Sequence, residues 1–171
     1  MFNVKDYFEV ESRCMRIRKN NGARSNFSYQ EAAQIADYIK GIYDEGSNVS
    51  FDLYEGGPLE LFGHLDGGVT GNIIGMNVYT DCFDDYAKLY EYSGLEVLTL
   101  TSRGESFDAT DLQEMQLAIV NLQHLKRVTI NVSGVSDEEF ENIQACIHFP
   151  CSSFEFSLNQ CSKNGRKKRK K

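Results

Sequence analysis

Hydrophobic and polar residues alternate along several short stretches of this chain, most clearly in LEVLTLTSR at residues 95–103. The apolar residues Leu95, Leu98 and Leu100 read L-x-x-L-x-L and are separated by polar and small residues. This alternation predicts a β-strand with one face in the core and the other in water. The same frame recurs along the chain, clearly in three further copies and weakly in two, with starts at residues 12, 48, 73, 95, 125 and 151.

The spacing of these copies indicates the architecture. Successive starts are 36, 25, 22, 30 and 26 residues apart. An irregular repeat of this length predicts one strand and one return element per unit, and therefore a short solenoid. Successive strand–helix units run parallel, so we predict an α/β fold with a parallel sheet of about five or six strands and helices on one side.

Three capping boxes predict where return helices begin. They are Ser28–Glu31, Thr110–Gln113 and Ser136–Glu139, and an apolar stripe at helical spacing follows each of them. A fourth helix is predicted to begin at Asp81. Its predicted buried face is Phe83, Tyr86, Ala87 and Tyr90. An edge strand is predicted over 7–10, before the first repeat.

Residues 56–75 hold seven glycines around the short apolar motif PLELFGHL. Neither phosphate-binding glycine pattern is present, and no lysine lies between residues 41 and 87. We interpret the segment as a brief helix or turn starting at Pro58, followed by a flexible glycine loop that returns the chain to the sheet. The alternative is a small α/β enzyme, a hydrolase or transferase, with its site near this loop.

The frame resembles the leucine-rich-repeat family over residues 12–159, and most closely its irregular, helix-backed members. These include ribonuclease-inhibitor-like proteins and the repeats associated with F-box proteins. The family places asparagine or cysteine three residues after the last apolar position, where Asn159 and Asn20 fit. Arg103, Ser133 and Gly56 depart from that pattern. The resemblance implies a repeat domain over 1–162 that binds a protein partner on its open strand face.

The frame also assigns residues to faces, because neighbouring side chains on a strand point in opposite directions. Its fifth and seventh positions are expected on the open face. The fifth positions are Arg16, Asp52, Asn77, Thr99, Thr129 and Glu155, and the seventh are Arg18, Tyr54, Tyr79, Thr101, Asn131 and Ser157. From these we predict eight partner-binding residues, Asp52, Tyr54, Asn77, Tyr79, Thr99, Thr101, Thr129 and Asn131. The alternative is that Tyr and Thr are present because they favour strands and pair well across them.

Charge divides the chain into two parts. Residues 163–171, KNGRKKRKK, carry seven of the 18 basic residues and no acid, whereas the remainder has a net charge of −14. Seven like charges predict a disordered tail. Its density of charge favours a nuclear-localisation signal read by an import receptor, formed by Arg166, Lys167, Lys168, Arg169, Lys170 and Lys171. Nucleic-acid or other polyanion binding through the tail is the alternative.

Other kinds of chemistry find little support in the sequence. The histidines His64, His124 and His148 have no partners at metal-ligand spacing, and no G-x-S-x-G motif occurs. We therefore predict a non-enzymatic protein without cofactor or metal. Five scattered cysteines without C-x-x-C, no signal peptide and no long apolar run predict an intracellular protein, cytoplasmic or nuclear, that does not associate with membranes.

Overall fold

The computed structural model describes residues 3–17, 28–46, 48–54, 61–80, 85–102, 108–150 and 153–161, with the backbone alone at Phe62 and Gly63. The strands are β1 (Phe8–Glu11), β2 (Cys14–Ile17), β3 (Ser50–Asp52), β4 (Ile73–Tyr79), β5 (Val97–Thr101), β6 (Arg127–Ser133) and β7 (Glu155–Cys161). The α-helices are α1 (Tyr29–Asp44), α2 (Ala109–Val120) and α3 (Asp137–Cys146). Short 3-10 helices are Val4–Tyr7, Leu61–His64, Gly67–Asn72 and Tyr86–Glu91.

The seven described strands form one sheet in chain order, from β1 at one edge to β7 at the other. Strands β2 to β7 are parallel, which confirms the prediction of an α/β fold with about five or six parallel strands. Strand β1 adds a seventh strand close to the predicted 7–10 segment and pairs antiparallel with β2. A tight turn joins this pair, with Ser12 in the left-handed region at φ 55°.

The register of the central strands is the predicted one. Asn77 pairs with Thr99, and Thr99 with Thr129. Arg16 also pairs with Asp52, as the frame requires. The L-x-x-L-x-L frame therefore gives the correct alignment of β4, β5 and β6 with one another, and of β2 with β3.

The predicted register is wrong at two other junctions. Thr129 pairs with Ser157 rather than Glu155, so the frame of β7 lies two residues later than its predicted start at 151. Asp52 pairs with Gly75 rather than Asn77, next to an irregularity between β3 and β4. Side chains alternate with a period of two, so the two-residue shift of β7 keeps every side chain on its face. The hydrophobic pattern of β7 is the same in its predicted and observed registers.

One apolar cluster lies against one face of the sheet. Leu95, Leu98 and Leu100 are fully buried there, as predicted, and the matching positions of the neighbouring strands join them. All three α-helices contribute side chains to this cluster, through residues such as Ile35, Met115 and Phe140. The opposite face of the sheet is polar.

The first and third capping boxes form as predicted, with Ser28 and Ser136 each accepting a bond from the backbone of the glutamate three residues on. The prediction of the second capping box, Thr110–Gln113, is wrong. Helix α2 begins at Ala109 and is capped by Asp108, whose carboxylate accepts a 2.8 Å bond from the Asp111 N–H. Both starts place Leu112 on the same buried face, so the apolar stripe does not distinguish them.

The predicted helix at Asp81 is also different in the structure. Residues 81–84 lie outside the described part, and Tyr86–Glu91 is a 3-10 helix capped by Asp85. Its buried side chains include Tyr86 and Leu89, spaced by three. A 3-10 helix aligns residues i and i+3, whereas the predicted face assumed 3.6 residues per turn. Ala87 and Tyr90 are consequently exposed.

The described part of the glycine-rich segment has a short 3-10 helix at Leu61–His64, close to the brief helix or turn predicted from Pro58, and a second one at Gly67–Asn72, where a loop was predicted. A side chain would collide at Gly68 within this segment, and also at Gly94, which packs against the segment from outside it. A Cβ on Gly68 would meet the Tyr43 hydroxyl, and one on Gly94 would meet the Gly71 carbonyl oxygen 2.5 Å away. These glycines therefore allow close packing. Residues 56–60 lie outside the described part.

No α-helix within the described ranges is both long enough and apolar enough to cross a membrane.

Candidate partner-binding face

The side of the sheet opposite the apolar core is here called the polar face. It carries side chains from all six parallel strands, together with Tyr54, which follows β3. Its main members are Arg16, Asp52, Tyr54, Asn77, Tyr79, Thr99, Thr101, Arg127, Thr129, Asn131, Ser157 and Asn159. All eight predicted partner-binding residues lie on it. Arg127 and Asn159 were not among those predictions; Arg127 precedes the alternating part of its frame, and the two-residue shift of β7 brings Asn159 level with Asn131.

A level row of polar side chains crosses four strands of this face. Tyr79, Thr101, Asn131 and Asn159 are successive Cα partners from β4 to β7. The Asn159 amide donates a hydrogen bond to Asn131 Oδ1 at 3.0 Å, and the Asn131 amide donates one to Thr101 Oγ1 at 3.4 Å. Each amide is held by its neighbour, so the row is preorganised.

An ion pair lies on the polar face between β2 and β3. Arg16 Nε donates to Asp52 Oδ2 at 3.0 Å, and the other carboxylate oxygen accepts a 3.2 Å bond from the Tyr54 N–H. The bonded carboxylate raises the pKa of the Arg16 guanidinium. Asp52 therefore joins the arginine to the backbone that carries Tyr54.

Tyr54 extends across β4. Its hydroxyl oxygen accepts a bond from Thr99 Oγ1 on β5 at 3.4 Å, and the Arg127 guanidinium carbon on β6 lies 5.5 Å from the centre of its ring. That distance is within cation–π range. Gly75 makes this possible, because a Cβ there would collide with the Asp52 carboxylate and approach Tyr54 Cβ to 3.1 Å.

This arrangement changes the role of Thr99. The prediction placed Thr99 on the open surface, but the side chain is only 4% exposed and bonds Tyr54. Thr99 therefore supports the face and is not available for contact. The sequence contains no local signal for this, because residue 54 reaches it from two strands away.

Asn77 lies on the face with a buried carbonyl oxygen. No described residue donates a hydrogen bond to Asn77 Oδ1. A buried acceptor without a donor is unfavourable by about 1–3 kcal/mol. Cys14 lies on β2, beside the ion pair, and its thiol pKa is raised, first by burial and then by the Asp52 charge.

Catalytic groups are sparse on this face. Its ionisable members include Arg16, Asp52 and Arg127, and none of the three histidines belongs to it. His64 instead contacts the Tyr29 ring, and His148 donates its backbone N–H to Gln116. Across the described ranges no three His, Cys, Asp or Glu side chains come together as a metal site. The polar face is suited to hydrogen bonding and aromatic contact.

Several predicted positions lie outside the described residues. They are Arg18, Asn20, Gly56, Asp81, Arg103, Cys151 and the whole basic tail, including Arg166, Lys167, Lys168, Arg169, Lys170 and Lys171.

Comparisons with protein-family models, with curated proteins and with solved structures find no match to this chain.

Proposed function

We propose that this chain is a short leucine-rich-repeat-like solenoid that binds a protein partner through its polar face. Two features support the solenoid. The parallel strands lie side by side in chain order, and every described α-helix packs into the same core on one face of the sheet. Stacked strand–helix units of this kind leave the opposite face open for binding.

The row Tyr79–Thr101–Asn131–Asn159 is the observation that carries the proposal. Adjacent strands are about 4.8 Å apart, so the row spans roughly 14 Å. The amides of Asn159 and Asn131 and the Thr101 hydroxyl already order one another, so a partner would lose little side-chain entropy in binding them. Tyr79 at one end adds aromatic contact area, which is typical of interface anchors.

Exposure divides the residues of the polar face into proposed contacts and proposed supports. Tyr79, Thr101, Thr129 and Asn131 are the proposed direct contacts, since all four are partly exposed. Tyr54 and Thr99 bond each other and are proposed to shape the face. Replacement of Tyr54 would therefore disturb the surface itself, which makes Tyr79 the better probe.

Affinity capture with matched variants tests this proposal. The wild-type chain is immobilised in a cell extract beside Tyr79→Ala, Asn131→Ala and Leu117→Ala, and the bound proteins are compared by mass spectrometry. Leu117 is the control, because its α2 side chain is 52% exposed away from the polar face. We expect a partner that the first two variants lose and Leu117→Ala retains.

The opposite pattern, with binding lost only in Leu117→Ala, would place the interface on the helices and refute the proposal. Circular dichroism and thermal unfolding of each variant separate lost contacts from lost folding.

The charge of residues 163–171 favours a second function for the tail alone, binding an import receptor or another anionic partner. Replacement of Arg166, Lys167 and Lys168 by Gln should reduce nuclear accumulation of a fluorescent fusion. Unchanged accumulation would contradict it.

A further inference from the structure

A groove of about 240 Å³ runs between α2 and α3, on the side of the protein away from the polar face. Leu112, Val135 and Ile143 form much of its apolar lining. Glu139 lines it as well, and Cys146 lines it at the end of α3. Apolar surface beside a carboxylate suits a ligand with both aliphatic and cationic parts.

The helices on either side of this groove are strongly acidic. Helix α2 carries Asp111 and Glu114, and helix α3 carries four carboxylates within its first five residues. Neither helix contains a lysine or arginine. The potential along the groove is therefore negative, which favours a cationic occupant.

Strand β7 brings the end of the sheet to this groove. The Gln160 amide donates two hydrogen bonds, to Asp137 Oδ1 at 3.0 Å and to the Val135 carbonyl oxygen at 3.4 Å. Val135 lines the groove and Asp137 is the first residue of α3. The chain after Cys161 therefore begins beside the groove.

The sequence that follows matches the groove in charge and in chemistry. Residues 163–171 carry seven basic side chains and no acid. Lysine and arginine cover apolar surface with their aliphatic stems while their charged ends reach carboxylates. The ten residues 162–171 span up to about 33 Å when extended, more than twice the length of helix α3, whose ten residues measure roughly 15 Å. The tail is therefore long enough to extend along the whole groove.

We propose that residues 162–171 of this chain occupy the groove between α2 and α3. The docked tail neutralises the acidic helices, and its basic residues are then withheld from other anionic partners. A polyanion or a receptor must displace the tail from its own domain. The contact weakens as salt increases, because the paired charges lie near the surface.

Disulfide trapping in the full chain tests the docking, with Cys146 as a natural reporter. Gly165→Cys keeps all seven tail charges, and Cys161→Ser removes a competing thiol nearby. Gly165 is five residues after Gln160, about 16 Å of extended chain, and Cys146 is nine residues along α3 from Asp137, about 14 Å. Under mild oxidation we expect an intramolecular disulfide to Cys146, mapped by mass spectrometry, in preference to Cys14 on the far side of the sheet.

A variant of α3 with fewer acidic side chains tests whether charge holds the tail in the groove, and a matched variant of α1 is its control. Glu138→Gln with Glu139→Gln removes two charges, and glutamine at 139 can still complete the capping box with Ser136. The yield of the Cys146 disulfide should fall severalfold in this variant and in 0.5 M salt. Asp37→Asn with Asp44→Asn removes two exposed charges from α1 instead and should leave the yield unchanged. An equal yield in all variants, or no preference over Cys14, would overturn the proposal, and disulfide-linked dimers would assign the groove to the tail of a second copy.

Carbodiimide coupling of the unmodified chain gives a test that needs no substitution. It joins lysine amines directly to carboxylates that they contact. We expect amide links from the tail lysines to Glu138, Glu139 or Glu141 in preference to Asp37 and Asp44. Links spread evenly over α1 and α3 would refute the docking.

Discussion

The Tyr54 hydroxyl accepts a 3.4 Å hydrogen bond from Thr99 Oγ1, although a whole strand separates the two residues in the sheet. The tyrosine follows β3 and the threonine lies in β5, so the side chain crosses β4. It does so beside Gly75, where the backbone carries no side chain. This contact buries Thr99 and presents the Tyr54 ring to Arg127.

Gly75→Ala should destabilise the protein by about 1–3 kcal/mol, because the added methyl group collides with the Asp52 carboxylate and crowds Tyr54. Urea denaturation followed by circular dichroism measures this loss. Gly41→Ala is the matched control, since a Cβ there meets nothing within 4 Å in helix α1. It should stabilise by about 0.5–1 kcal/mol. Equal effects of the two substitutions would contradict the crowding at Gly75.

The Arg16–Asp52 ion pair should couple by less than about 1 kcal/mol in a double-mutant cycle, since Arg16 is well exposed and solvent screens the pair. Asp52→Ala should cost about 0.5–1.5 kcal/mol more than Asp52→Asn, because asparagine can still accept the Tyr54 N–H. Equal losses in the free energy of unfolding would show that the Tyr54 N–H bond contributes nothing.

The start of helix α2 can be located by mutation. Asp108→Ala should lower the free energy of unfolding by about 1 kcal/mol, because it removes the acceptor for the Asp111 N–H. Thr110→Ala should change it by less than about 0.5 kcal/mol, since residue 110 is already inside the helix. The reverse ranking in urea denaturation would restore the capping box predicted at Thr110.

Cys14 should react slowly with thiol reagents near neutral pH. Burial, and then the Asp52 charge, raise its pKa, so the reactive thiolate is scarce until the pH is well above that required by an ordinary cysteine. Rates measured by mass spectrometry from pH 7 to 10 test this. Asp52→Asn should accelerate the reaction by removing a like charge. A rate at Cys14 equal to that at exposed Cys146 throughout this range would disprove the prediction.

Two failures of sequence-based prediction have specific causes in the tertiary structure. At β7 the alternating pattern allowed two registers, and the pairing of Thr129 with Ser157 shows that the later one formed. At Tyr86–Glu91 the apolar residues fitted a 3.6-residue period by chance, whereas packing onto the core uses every third residue. In both cases the information lies in contacts with other elements, which a single-strand pattern does not contain.

The sequence by itself determined the parallel α/β sheet, the burial of Leu98 and Leu100, the register of the three central strands and two of the three caps. These depend on alternation, helical periodicity and hydrogen bonds between residues three apart, all of which are local. Only the tertiary structure decided that Tyr54 covers Thr99, that Asn159 completes the polar row, and that Gln160 ends β7 beside the groove. Those contacts join residues 23 to 45 positions apart in the chain, and they form only when the strands are assembled in one register.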